Sequence, residues 1–96
     1  MLRHVVLLKL QEGYSDETLQ EISTDLDALP SQISEIISFK HGKDAGVVEG
    51  TFDYAVTAEF ASKEDCLAYL AHPAHQAVGG KIVGLIADAA QMQFYC

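Results

Sequence analysis

The stretch FDYAVTAEFASKEDCLAYLAHPAHQAV, residues 52–78, decides the fold because its hydrophobic period changes once along its length. Residues 52–60 alternate between apolar and polar side chains, which is typical of a half-buried strand. Ser62 then offers a helix N-cap, and apolar residues follow at helical spacing. Pro73 stops or kinks that helix and can itself begin a second helical piece over residues 74–83. The stretch therefore predicts a strand followed by a broken helix.

The same two periods recur on both sides of this stretch. Four further elements are predicted: a strand over residues 1–10, a helix from Ser15 to Pro30, a strand over residues 35–41 and a strand over residues 88–95. The helix carries apolar residues at steps of three and four, which form one stripe. The glycine-rich segment 42–50 reads as a loop, and it places His41 at a surface loop.

The predicted order, β-α-β-β-α-β, is the ferredoxin-like split βαβ plan. It gives an α+β fold with a four-stranded antiparallel sheet and both helices on one face. We expect a single domain over residues 1–96. The more apolar set of each strand is assigned to the helix-covered face: His4, Val6, Leu8; Ile37, Phe39; Tyr54, Val56, Ala58, Phe60; and Ala90, Met92, Phe94.

The opposite face of the sheet mixes polar and apolar side chains. Val5, Leu7 and Ala55 would be poorly solvated there if the face were bare. A second copy of the chain stacked on this face would cover them. We therefore expect a homodimer through the sheet faces, with twofold symmetry and the shape of a dimeric α+β barrel.

Charge and composition exclude several classes of partner. The net charge is −8, so the chain lacks the clustered cations that a nucleic acid or an anionic membrane surface requires. Its apolar runs are far shorter than a bilayer span. The two cysteines form no CxxC pair, and the N-terminus lacks the features of a signal peptide, so we expect reduced thiols and a cytoplasmic location.

The candidate chemistry lies in the run Tyr69-Leu-Ala-His72-Pro-Ala-His75. A tyrosine and histidines that converge on an apolar pocket can transfer protons near neutral pH, because the histidine pKa lies near 6.5. His4 adds an imidazole on the strand face assigned to the helices. Each of these residues also has a structural interpretation: His4 as a core histidine, Tyr69 as a packing residue and His72 as a helix cap.

Other kinds of site find little support. His72 and His75 lack the spacing of a HExxH zinc site, and no thiolate lies near them. The GKDAG stretch lacks the spacing of a phosphate-binding loop, and no GxSxG nucleophile elbow is present. We expect neither a metal nor a cofactor.

Three segments resemble the stress-responsive A/B-barrel (Dabb) domain family: HVVLLKL near the N-terminus, residues 52–78, and the closing QFYC. The most specific motif is Tyr-x-x-His-Pro-x-His, preceded by a helix that carries Phe60, Ser62, Glu64, Leu67 and Tyr69. The resemblance implies a ferredoxin-like protomer and a homodimer. The family includes plant stress-associated proteins and the olivetolic acid cyclase, a cofactor-free enzyme of intramolecular aldol condensation.

By that resemblance the general base would be His75 and its assistant Tyr69, while His4 and His72 match two further histidines of the cyclase. The cyclase's third-strand histidine is replaced here by Tyr54 or a neighbour. The first hypothesis is a small-molecule pocket for an apolar carbonyl ligand, in a cyclase- or lyase-type enzyme. The alternative is a non-catalytic dimeric stress-response module, and a heme- or metal-handling relative is a third hypothesis.

Overall fold

The computed structural model describes residues 1–96 and contains four strands and four helices. The strands are β1 (Leu2–Leu10), β2 (Ser38–Lys43), β3 (Tyr54–Phe60) and β4 (Ile86–Tyr95). The helices are α1 (Asp16–Asp27), α2 (Leu29–Gln32), α3 (Lys63–Ala71) and α4 (Pro73–Val83). The strand order is β2-β3-β1-β4, and all neighbours pair antiparallel. The predicted ferredoxin-like α+β fold is confirmed.

The helix boundaries follow local capping chemistry. Ser15 and Ser62 each accept a hydrogen bond from the backbone N–H three residues later, which satisfies a free donor of the first turn. The first helix ends at Asp27 rather than at Pro30 as predicted. Pro30 instead lies in the first turn of α2, where its missing N–H leaves no helical hydrogen bond unmade.

The core lies between the helices and one face of the sheet. Phe60, Ile22, Leu29 and Ile33 are the largest apolar side chains that are fully buried. Every second residue of β3 is buried, which confirms the alternation predicted over residues 52–60. No helix is long and apolar enough to cross a bilayer.

The prediction for the last strand was wrong. In the register of β1 with β4, Val5 lies opposite Met92 and Arg3 opposite Phe94. Cross-strand partners share a face of the sheet, so Met92, Phe94 and also Ala90 lie on the bare face. The helix-covered face receives Gln91 and Gln93 instead. The apolar set of this strand faces away from the core of its own protomer.

The second strand begins and ends later than predicted. It spans Ser38–Lys43 instead of residues 35–41, and Ile37, assigned to the core, is 53% exposed. His41 is thus a strand residue, not a loop residue. It lies opposite Val56 and faces the helices.

Candidate functional site

A cavity of about 320 Å³ lies between the sheet and all four helices. Most of its wall is aliphatic, with contributions from β1, β3, β4 and every helix. The polar side chains in the lining are His4, Tyr69, His75 and Gln91. A cavity of this size accommodates a small ligand and favours one with an apolar body.

Tyr69 lies at the centre of the site because α3 directs its ring onto the sheet. The residue is 2% exposed, and its ring centroid lies 4.5 Å from that of His75 and 6.0 Å from that of His4. Burial, and then the neighbouring Cys66, raise the pKa of Tyr69 to about 12. The phenol therefore stays protonated near neutral pH and acts as a hydrogen-bond donor.

His75 has one ring nitrogen committed to the backbone. Its Nδ1 lies 3.2 Å from the carbonyl oxygen of Leu70. A carbonyl oxygen only accepts, so Nδ1 carries the proton and donates. In the neutral ring Nε2 then keeps its lone pair. Burial lowers the pKa of His75, which favours this neutral form.

His4 has the opposite arrangement. Its Nδ1 lies 2.7 Å from Nε2 of Gln93, an amide nitrogen that only donates. The neutral ring of His4 therefore carries its proton on Nε2. Burial, followed by the proximity of His75, lowers the pKa of His4, which is 1% exposed. The site thus combines one imidazole base with two proton donors against an aliphatic wall.

His72 does not line the cavity. Its backbone is extended at φ −65° and ψ 136°, so it ends α3 and caps α4. The Nδ1 atom accepts a hydrogen bond from the N–H of Ala74 at 3.0 Å. Tyr69, His72 and His75 do not share one helical face, because the backbone leaves the helical region at His72.

The sequence interpretation missed a second polar group around His41. The imidazole bridges Asp27 and Tyr54, with both contacts at 2.7 Å. The sequence does not reveal this group, because the glycine-rich segment that starts at Gly42 predicts a surface loop at His41. The periodicity did place Tyr54 on the helix-covered face, and its register with β2 is what brings His41 beside it.

No group of three or more His, Cys, Asp or Glu side chains lies close enough together to hold a metal ion. In particular, His75 is bound through Nδ1 to a backbone carbonyl and His72 through Nδ1 to a backbone N–H. The Nδ1 atoms of His72 and His75 are therefore engaged in hydrogen bonds to the backbone and are not free to bind a metal ion.

Comparison with known proteins identifies the family. The domain described as Stress responsive A/B Barrel Domain (Dabb) matches residues 2–96. The stress-response A/B barrel domain-containing protein HS1 of Arabidopsis thaliana is 30% identical over 76 residues, which are 77% of this chain and 70% of that protein.

Solved structures agree with this assignment. A dimeric ferredoxin-like protein of unknown function from Thermobifida fusca has a TM-score of 0.92 and 29% identity, over 99% of this chain and 90% of its own. The hydroxynitrile lyase of Passiflora edulis has a TM-score of 0.85 over 97% of this chain and 90% of its own; at 20% identity it shows the fold alone. The chain belongs to the stress-responsive A/B-barrel (Dabb) domain family.

Proposed function

We propose that the protein is a homodimer that binds a small apolar carbonyl compound in the Tyr69–His75 cavity and transfers a proton on it. His75 is the base and Tyr69 stabilises the carbonyl oxygen. The chemistry is of the cofactor-free cyclase or lyase type, with aldol condensation or isomerisation as the reaction class.

The opposite hydrogen-bonding of the two imidazoles carries this proposal. Nε2 of His75 takes a proton from the carbon next to the carbonyl, and the C–H electron pair moves to form the enolate. The Tyr69 hydroxyl and the Nε2–H of His4 are donors that stabilise the negative charge on the oxygen. Protonated His75 then returns its proton to the product.

His72 has a positioning role and does not contact the ligand. Its side chain caps α4 three residues before His75, which is the first residue of that helix to line the cavity. Loss of the cap would loosen the first turn of α4 and therefore the base. His72 would thus orient the base through the helix rather than by contact with the ligand.

The bare face of the sheet supports the homodimer. Met92 is 58% exposed and Phe94 40% exposed, beside the half-buried Val5 and Leu7. Such a patch is typical of a protein–protein contact. Arg3 and Glu59 pair with each other at 3.0 Å on the same face, so neither of these two charges needs a partner from the second copy. The Thermobifida fusca neighbour is described as dimeric.

We place the protein in the cytoplasm. Its two cysteines are free, with Cys66 buried and Cys96 exposed. A reducing compartment keeps an exposed thiol unpaired.

The alternative, a non-catalytic module, has one observation in its favour. The Nδ1 of His75 is bonded to the backbone, as a structural histidine would be. However, this bond leaves Nε2 free, and the interior between sheet and helices is not filled. We therefore favour a ligand-binding and proton-transferring site.

Thermal shift with methyl ketones of increasing chain length tests the binding step. We expect the melting temperature of the wild type to rise with chain length until the cavity is filled. His75→Ala and Tyr69→Phe should reduce the rise, whereas Leu67→Ala should not, because Leu67 is 54% exposed on α3 and lies outside this cavity. A rise that neither site variant changes would refute the site.

A further inference from the structure

A second cavity lies beside the N-terminal half of α1, where the helix faces the ends of β2 and β3. Its volume is about 340 Å³, and it shares no lining residue with the first cavity. Its wall is mainly polar. The side chains with polar or charged groups are Asp16, Gln20, Ser23, His41, Lys43 and Tyr54. The two cavities are therefore different in chemistry as well as in place.

A hydrogen-bonded chain fixes the orientation of the Tyr54 hydroxyl. Nε2 of His41 lies 2.7 Å from Oδ1 of Asp27, and Nδ1 lies 2.7 Å from the oxygen of Tyr54. A carboxylate only accepts, so in the neutral imidazole Nε2 carries the proton. Nδ1 is then bare, and the Tyr54 hydroxyl donates to it. The Tyr54 oxygen then keeps acceptor capacity for a hydrogen bond from a ligand or from the neighbouring Ser23 hydroxyl.

The protonation of Tyr54 agrees with this orientation. Burial raises the pKa of the phenol, against a smaller opposing effect of the Ser23 hydroxyl. The residue is 4% exposed, and its ring stacks on His41 at 6.0 Å between centroids. Tyr54 is thus a neutral hydroxyl held in one orientation.

Lys43 supplies a cation next to this acceptor. It lies opposite Tyr54 in the β2–β3 register, so the two side chains stand side by side on one face. Lys43 takes part in none of the ion pairs of the structure. The one carboxylate in the lining, Asp16, belongs to the first turn of α1, where the helix dipole offsets its charge.

We propose that this second cavity binds a small hydroxycarboxylate. The ligand hydroxyl donates to the oxygen of Tyr54, and the neighbouring carboxylate pairs with Lys43. Leu19 provides an apolar contact for the carbon skeleton. This site does not depend on the function proposed for the first cavity.

Lactate and propionate are the probes, since they differ by the hydroxyl group alone. Both are titrated into the ¹⁵N-labelled wild type at pH 8, with chemical shifts followed at the residues of α1, β2 and β3. We expect lactate to bind about threefold to tenfold more tightly than propionate, as one net hydrogen bond gives. Equal affinities, or no saturable shifts in this region, would overturn the proposal with the wild type alone.

Variants assign the two contacts. Tyr54→Phe should remove the preference for lactate, and Lys43→Gln should weaken both ligands equally. His75→Ala, in the first cavity, should leave both affinities unchanged. A lactate preference that survives in folded Tyr54→Phe protein would contradict the assignment, as would lactate binding that is lost in His75→Ala. Lys43 is exposed, so its substitution tests the site even if Tyr54→Phe does not fold.

Discussion

The two faces of the sheet both carry apolar side chains, but these side chains meet different surroundings. On one face, β3 buries Tyr54, Val56, Ala58 and Phe60 beneath the helices. On the other face, β4 exposes Met92 and Phe94. The covered face is incompletely filled and retains a cavity, whereas the bare face presents Met92 and Phe94 to solvent. One face is thus suited to a ligand and the other to a second copy of the chain.

The comparison shows why apolar alternation alone does not identify the core. A strand of a dimeric protein has two apolar targets, its own helices and the partner's sheet. In β4 the apolar side chains face the partner's sheet, whereas Gln91 and Gln93 face the helices of their own protomer. The glutamine that faces inward then holds His4 at 2.7 Å, so the polar set has a structural use.

The largest effect is expected from a matched pair of phenylalanines on the two faces. Phe60 is fully buried, so Phe60→Ala should lower the free energy of unfolding by about 3–5 kcal/mol. Phe94 is 40% exposed, so Phe94→Ala should lower it by less than about 1 kcal/mol in dilute protein. Urea denaturation at low protein concentration measures both. Equal losses would abolish the distinction between the faces.

The next largest effect is expected on the dimer dissociation constant, and only from substitutions on the bare face. Met92→Lys places a charge in the proposed interface and should raise the dimer dissociation constant about 30-fold, or ~2 kcal/mol. Sedimentation velocity over a range of concentrations measures this change. Leu67→Lys is the control, because Leu67 is similarly exposed, at 54% against 58%, but lies on α3. Dimers that respond equally to both substitutions would place the interface elsewhere.

Substitutions at two glycines of α4 distinguish an effect on helix stability from an effect on the volume of the first cavity. A Cβ added at Gly79 or Gly80 meets no atom within 4 Å, so alanine fits at both positions. Each substitution should stabilise the helix by about 0.5–1 kcal/mol. Only Gly79 lines the first cavity, so only Gly79→Ala should reduce the thermal shift caused by the longer methyl ketones. A reduction of equal size with Gly80→Ala would indicate a different binding place.

The smallest effect is a dependence of stability on pH that the covered face alone should show. Burial lowers the pKa of His75 from its ordinary 6.5, so below 6.5 the unfolded chain binds more protons than the folded one. Stability should therefore be full above 6.5 and fall as the pH decreases towards the lowered pKa. The slope should be a fraction of ~1.4 kcal/mol per pH unit, because the folded and unfolded chains differ by less than one bound proton at this ring.

His75→Gln tests this pH dependence, since it keeps a polar side chain without an ionisable ring. Urea denaturation at several pH values between 5 and 8 should give a flatter profile for the variant than for the wild type. The remaining slope belongs to the other titratable groups, His4 among them. Parallel profiles would show that His75 titrates alike in the folded and unfolded states.

Local chemistry explains how much of the fold and site the sequence predicts. The serine caps, the β3 alternation and the break at Pro73 depend on neighbouring residues, and each appears in the structure as expected. The convergence of His4, Tyr69 and His75 follows once the topology is known. Partners set by strand register were missed, since the bond from Gln93 to His4 joins positions 89 residues apart and His41 depends on where β2 ends.

The most direct test of the central claim is exchange of the α-protons of a methyl ketone, such as 2-heptanone, in D₂O. NMR follows the loss of the proton signal with and without protein. The account predicts exchange faster than in buffer, reduced about 100-fold in His75→Ala and less in Tyr69→Phe. Exchange at the buffer rate with the wild type, or undiminished exchange in folded His75→Ala protein, would contradict it.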